Sequence, residues 1–456
     1  MKKFYFKIIA ALCCAIFSSC QTVEDAREAQ KETSLVLGER TASPEEFGIK
    51  KGGCYDLAYL EKVAVEANPL VFQARQYLIW HQLELKNVKA GYLPTIDAYA
   101  GFEESTHNEF KRGQSANMRG NGYGGIDFQL LIYDFGKTDA KVVQQMQNVV
   151  SAEKNLILAE IDAVYKLRQA FFGLKRCIEL NIVAEQAVAQ YKEHLDHMLA
   201  KYKYGKSTKY DCSKARIDYD SSVLEQITTS NNVRIAKANL INALGFDKDV
   251  DFSIGDGIMK DADMTVEELM ELVRKYDPSL GMLYASAKGA SSYIDKQIAN
   301  LYPTISLNAE AVASGVSSGW PAIWNIAGGA EMVQNIFNGN RNMNAIEQAV
   351  SELRSARSQI SEYEQKAYAE LTTAHLNLEK SKKQYEVALA AEKVAKENLD
   401  LVTERFNVGK VSALERTDAQ VSYTSAQADA VSAKYDWQDA LATIAYLTGG
   451  DVKSEN

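Results

Sequence analysis

Hydrophobic and polar positions alternate with period two in four short stretches and recur in steps of three and four over two very long ones. Over 94–106, Ile96, Ala98, Ala100 and Phe102 fall on one side and Thr95, Asp97, Tyr99 and Glu103 on the other. Over 123–133, Ile126, Phe128 and Leu130 oppose Asp127 and Gln129. Over 303–311, Ile305, Leu307 and Ala309 oppose Thr304, Ser306, Asn308 and Glu310, and over 324–337 Ile326, Ala330 and Met332 oppose Asn325 and Glu331. Alternation of this kind predicts strands, here two hairpins, with loops rich in Gly, Ser and Asn at 107–122 and 312–322. The stretches 136–204 and 340–408 contain no proline. In the second, Leu353, Ala356, Ile360, Tyr363, Ala367, Leu371, Ala374 and Leu378 form a coiled-coil seam. Each such helix would run roughly 100 Å. After a glycine turn a return helix follows, at about 207–244 and 411–448. Asn68-Pro69 and Asp277-Pro278 each start a helix of near 22 residues, since proline suits the first helical turn. Stacked end to end, the return helix and this shorter one match the length of the long helix.

The two halves repeat one another. Lys201 to Asp211 matches Arg405 to Glu415 at an offset of 204, with Gly205 aligned to Gly409, and Ile132-Tyr133-Asp134 matches Ile336-Phe337-Asn338 at the same offset. Leu93-Pro94-Thr95-Ile96 matches Tyr302-Pro303-Thr304-Ile305, and Asn68-Pro69 matches Asp277-Pro278, at 209. A period this long is a duplicated domain-sized unit, not a solenoid repeat. The organisation predicted is a first repeat at 55–250, a linker at 251–264, a second repeat at 265–450 and a tail at 451–456. Short amphipathic helices at 55–67 and 265–276 open the halves. The fold class is mainly α, with duplicated long coiled-coil helices and four strands per chain.

Residues 1–19 read as a signal peptide: Lys2, Lys3 and Lys7 precede an apolar core from Ile8 to Phe17. Ser18-Ser19-Cys20 resembles a bacterial lipoprotein signal, in which Cys20 becomes the acylated first residue; the alternative is ordinary cleavage beside an incidental cysteine. Both mean export. Residues 20–54 are polar and aperiodic, a tether. Cys177 and Cys212 would lie about 30 Å apart on antiparallel helices, beyond bridging range. A net charge of −9 gives a nucleic-acid partner no electrostatic support. No phosphate loop, nucleophile elbow or zinc motif is present, so the sequence points to neither an enzyme nor a cofactor. His194 and His197 are three apart beside Met198, but no third ligand accompanies them.

Four strands cannot close a barrel, and open strand edges are forbidden in lipid. Three copies would supply twelve strands, an even number within the range of membrane barrels. The ordered set of motifs resembles the TolC family of outer-membrane efflux proteins over about 55–450. It comprises the duplication, the Pro-Thr-Ile strand starts, the junctions Tyr133-Asp134-Phe135-Gly136-Lys137 and Phe337-Asn338-Gly339-Asn340-Arg341, and the two glycine turns with Asp418-Ala419-Gln420. The resemblance implies a homotrimer with a twelve-stranded barrel in outer-membrane lipid and a helical tunnel through the periplasm. It would act as a passive exit duct for an inner-membrane pump and a periplasmic adaptor, in efflux or type I secretion. By position, Tyr204, Gly205, Lys206, Val408, Gly409 and Lys410 match the adaptor-docking tips, although lysine after each glycine departs from the family's usual uncharged residue. Glu415 and Asp418 match an acidic ring narrowing the tunnel, and Asp211 a residue of the closure contacts. Lys214 stands where the second tip has Asp418, which makes the second hairpin the expected gate and the first its support. A structural envelope coiled coil without channel activity is the competing reading, and it leaves the polar faces of the strands unexplained.

Overall fold

The computed structural model describes residues 22–24, 26–27, 30, 44–107, 117–205, 207–246, 250–255, 257–259, 264–316 and 323–450. Cys20 and Lys206 lie outside the described residues, as do the signal segment and the tail. The first repeat contains α1 (Leu57–Ala67), α2 (Pro69–Ala90), β2 (Thr95–His107), β3 (Asn117–Tyr133), α3 (Lys137–Lys203) and α4 (Lys209–Ala243). The second contains α5 (Val266–Tyr276), α6 (Pro278–Ala299), β5 (Thr304–Val316), β6 (Ile323–Val333), α7 (Arg341–Asn407) and α8 (Ala413–Leu447). The long helices α3 and α7 each have 67 residues and the return helices α4 and α8 each have 35, so the duplication holds to the residue. Two short strands, β1 (Cys54–Tyr55) and β4 (Ser253–Ile254), pair in parallel and fasten the N-terminal arm to the linker between the repeats.

The strands depart from expectation at their ends. β3 begins at Asn117 and β5 runs to Val316, so both take in residues expected to be loop. Their glycines, Gly120, Gly122 and Gly315, read as breakers, but the partner strand supplies the ladder, Gly122 pairing with both Phe102 and Gly315. β6 stops at Val333 rather than 337, because its partner β5 starts at Thr304, opposite Val333. The two hairpins join edge to edge in one antiparallel sheet of order β2-β3-β5-β6, leaving β2 and β6 as open edges.

Each helix starts and stops for a local reason. Asn68 and Asp277 cap α2 and α6 by accepting from the amides of Leu70 and Ser279, both at 2.8 Å. At the strand-to-helix junction the Asp134 carboxylate accepts from the Thr138 amide (2.8 Å) and hydroxyl (2.6 Å), which anchors the first turn of α3. Gly245 and Gly449 end the return helices with φ of +89° and +91°. A Cβ on Gly449 would stand 2.8 Å from the Tyr276 carbonyl oxygen, and one on Gly245 2.9 Å from that of Ala67. Each return helix is thereby butted against the start of the shorter helix of its own half. Gly449→Ala is expected to cost about 2 kcal/mol, combining a left-handed residue with that contact; a thermal melt unchanged from the parent would refute the butt joint.

The core lies midway along the helices. Ile49, Leu60, Leu167, Phe171, Phe172, Leu240 and Leu244 are fully buried where α1 packs on α3 and α4, and Tyr435 and Ala442 of α8 join them. Leu269, Met270 and Val273 of α5 pack on Leu371 of α7 in the equivalent place. All eight seam residues of α7 are buried or half-buried. The four long helices lie in the order α4-α3-α8-α7, with α3 and α8 in contact at the middle.

Candidate functional site at the helical tips

The helices reverse at Gly205 and Gly409, which have φ of +68° and +75°. Such a conformation suits glycine, and no atom lies near enough to demand glycine for space. Tyr204 and Val408, just before the turns, are 82% and 68% exposed, and Lys410 is exposed. These residues form the surface of the tips.

Asp211 and Glu415 occupy identical places one turn beyond, each as the third residue of its return helix. Both close capping boxes. The Asp211 carboxylate accepts from the Thr208 amide (3.0 Å) and hydroxyl (2.7 Å), while the Thr208 hydroxyl oxygen accepts from the Asp211 amide (3.2 Å). The Glu415 carboxylate accepts from the Ser412 hydroxyl at 3.0 Å, and Ser412 caps the Glu415 amide at 3.2 Å. The bonds from Thr208, backbone first, hold the Asp211 carboxyl below the usual carboxylate range. Thr208-x-x-Asp211 and Ser412-x-x-Glu415 are visible in the sequence as capping boxes, a signal that a search for gate carboxylates passes over. The bond to Asp218 at 2.9 Å raises the pKa of Lys214, and the field of exposed Asp418 adds slightly to it.

Between the tips lies a joint that sequence reasoning did not find. Phe406, the last aromatic residue of α7, is 4% exposed and inserts among Leu195 and Met198 of α3 and Ala215 of α4. Lys201 lies 4.0 Å from its ring centroid, and the Arg416 guanidinium 5.6 Å. His194 is buried beside it, and Nη1 of Arg416 bonds to its Nδ1. Burial first, then the Arg416 charge, lower the His194 pKa to about 4, so the ring is neutral and accepts from the guanidinium. His197 is exposed, and among the described residues no cluster of His, Cys, Asp or Glu is arranged to hold a metal ion.

Above the tips, polar pairs run along the α3–α8 contact. Gln420 donates to Gln190, Gln427 donates to Gln186 at 3.5 Å, Lys434 pairs with Glu179 at 2.8 Å, and Arg176 pairs with Asp436 (2.7 Å) and Asp439 (3.1 Å). At the far end of the molecule the sheet has one apolar and one polar face. Its register sets Asp97 opposite Asp127 and Asp127 opposite Glu310, one rung of three carboxylates across three strands. Alternation placed these acids on the polar phase, but only register aligns them.

A strand layer with one polar face, continued into long paired helical hairpins, is the architecture of outer-membrane channel proteins. The chain belongs to the outer membrane efflux protein family, which matches residues 61–246 and 269–450. Among curated relatives, the outer membrane protein TolC of Escherichia coli is 27% identical over 194 residues, covering 41% of this chain and 39% of that protein. TolC of Salmonella enteritidis is 26% identical over 192 residues, with the same coverage. The matched segments thus span about two fifths of these relatives' length. Among solved structures, the Campylobacter jejuni CmeC outer membrane channel superposes with a TM-score of 0.75 at 18% identity, covering 88% of this chain and 87% of that one. The Vibrio cholerae outer membrane protein VceC gives 0.73 at 18%, covering 86% and 96%. At such identities the likeness is one of fold.

Proposed function

We propose that this chain is one third of an outer-membrane exit duct that passively carries substrates handed over by an inner-membrane pump through a periplasmic adaptor. The observation that carries this reading is that the chain is unfinished at both edges of both layers. β2 and β6 are open strand edges, which lipid does not tolerate. The outer helices carry apolar stripes at seven-residue spacing: Tyr210, Ile217 and Leu224 on α4, and Val387, Val394, Leu401 and Val408 on and just past α7, all more than half exposed. A second copy seats its α7 stripe against the α4 stripe antiparallel, and three copies close a twelve-stranded barrel over a helical tunnel. Counting from the tips, Leu224 and Val394 then lie at nearly the same height. Leu224→Cys with Val394→Cys is expected to give disulfide-linked trimers on denaturing gels; monomers alone would defeat the assembly.

In this reading the polar sheet face, with Asp97, Asp127 and Glu310, lines the lumen. Tyr204, Gly205, Lys206, Val408, Gly409 and Lys410 are the adaptor-docking surface. Asp418 and Glu415, three apart on one helix face, form the gate ring, with Asp211 supporting the first tip. Three copies bring six carboxylates together, a ring that attracts cations. In planar bilayers the protein is expected to conduct, and Glu415→Ala with Asp418→Ala to weaken block by trivalent cations about tenfold or more. Absent conductance would favour the structural coiled coil, and unchanged block would remove the ring assignment. Acylation of Cys20 anchors the chain in outer-membrane lipid; an N-terminal peptide mass without an acyl group would exclude the anchor.

A further inference from the structure

The two tips share one backbone but differ in charge. Over residues 200–216 the first carries six lysines or arginines and one acid, of which Lys214 and Arg216 pair with Asp218 and Asp220 just beyond, whereas over the equivalent 404–420 the second carries three of each. Lys203 and Lys209 of the first tip stand where the second has Asn407 and Ala413, and Tyr204 and Tyr210 where it has Val408 and Leu414. The one acid of the first tip, Asp211, is engaged by Ser207 and Thr208 within its own capping box. Lys203 and Lys209 are exposed and have no acidic partner among the described residues. Tyr204 and Tyr210 beside them are 82% and 76% exposed. In a chain of net charge −9, an exposed cluster of cations and tyrosines is not explained by packing or by solubility.

We infer that the first tip is a docking surface for an acidic protein segment, and that the second tip is read by different, largely apolar contacts. This rests on the proposal that the tips dock an adaptor, and it names the chemistry of that adaptor's contact. Tyrosine supplies rigid area with a hydroxyl at its edge, and the lysines supply complementary charge that steers approach and fixes which tip is engaged. A basic segment would be repelled from the first tip. In a trimer, basic and neutral tips alternate around the mouth, so each docked segment is told its register by charge alone.

The test uses the full-length protein in the cell that makes it, with a benzophenone photo-crosslinker placed at Tyr204 or at Val408 and the attached peptide sequenced by mass spectrometry. The expected result is an acidic peptide from Tyr204. Lys203→Glu with Lys209→Glu should lower the Tyr204 yield tenfold or more, leave the Val408 yield within twofold, and be tolerated as Lys→Arg at both positions. A neutral or basic peptide at Tyr204, or a yield indifferent to charge reversal, overturns the inference while leaving adaptor docking intact. No protein attached at either position overturns both. Attachment to anionic lipid alone makes the surface a membrane contact and overturns the inference.

Discussion

Phe406→Ala is expected to part the two hairpins at their tips while leaving the rest of the molecule folded. Removing a buried phenylalanine costs about 3–5 kcal/mol. Here the loss falls on one joint, because the ring belongs to α7 while Leu195, Met198 and Ala215 belong to α3 and α4. Lys201 and Arg416 both lose the ring at the same time. Amide exchange over 195–215 and 400–420 should quicken at least a hundredfold, with little change around Phe171 and Leu240 in the core midway along the helices. In the proposed trimeric duct the same substitution biases the channel towards conduction in bilayers. Phe406→Leu should retain most of the joint. Exchange unchanged in the alanine variant would mean that the tips are held by something other than this ring.

The second large effect is that of acid. His194 feels Arg416 from α8 and His197 and Lys201 from its own helix, against Asp218 of α4, while the field of Glu193 acts on Arg416. Its pKa falls from 6.5 to about 4 in the closed joint. Between those values the separated tips bind more protons than the joined ones, so the joint weakens as pH falls below 6.5, and the loss is complete near 4. The cost is on the order of 2 kcal/mol once water reaching the tip is allowed for, a shift of roughly thirtyfold in the equilibrium. Asp211 keeps its cap through this range, since its carboxyl is held below the ordinary value. Tip exchange or channel opening followed from pH 7 to 4.5 should therefore rise steeply, and His194→Gln should flatten the profile. A parallel rise in the variant would place the acid sensitivity elsewhere.

Much of this was legible because it is local. Proline-free runs with a three-four seam specify helices, Asn68-Pro69 and Asp277-Pro278 specify caps, and the offset of 204 makes the second copy a check on the first. What escaped depends on contacts between segments more than two hundred residues apart. Nothing near Phe406 in the chain shows that it enters the other hairpin, and nothing near Asp97 shows that Glu310 shares its rung. The strand ends differ from expectation for the same reason: Gly122 and Gly315 break a strand read alone and are ordinary members of one whose neighbours hold it. Glu415 and Asp211 show a different limit. Their carboxylates are legible as helix caps and as gate acids at once, and a cap does not require the second reading.

The contact between α3 and α8 changes character along its length. At the mid-helix core it is hydrocarbon; lower down it is ion pairs such as Arg176 with Asp436 and Lys434 with Glu179; lower still it is neutral amides, Gln186 with Gln427 and Gln190 with Gln420. Hydrocarbon surfaces resist separation because water cannot replace what they lose, whereas a parted glutamine pair is satisfied by water at little cost. The seam therefore behaves as a clasped wishbone: it is welded at the fork, easily wetted along the prongs and fastened at the free ends by Phe406, so that once the ring leaves its socket the prongs spread without loosening the fork.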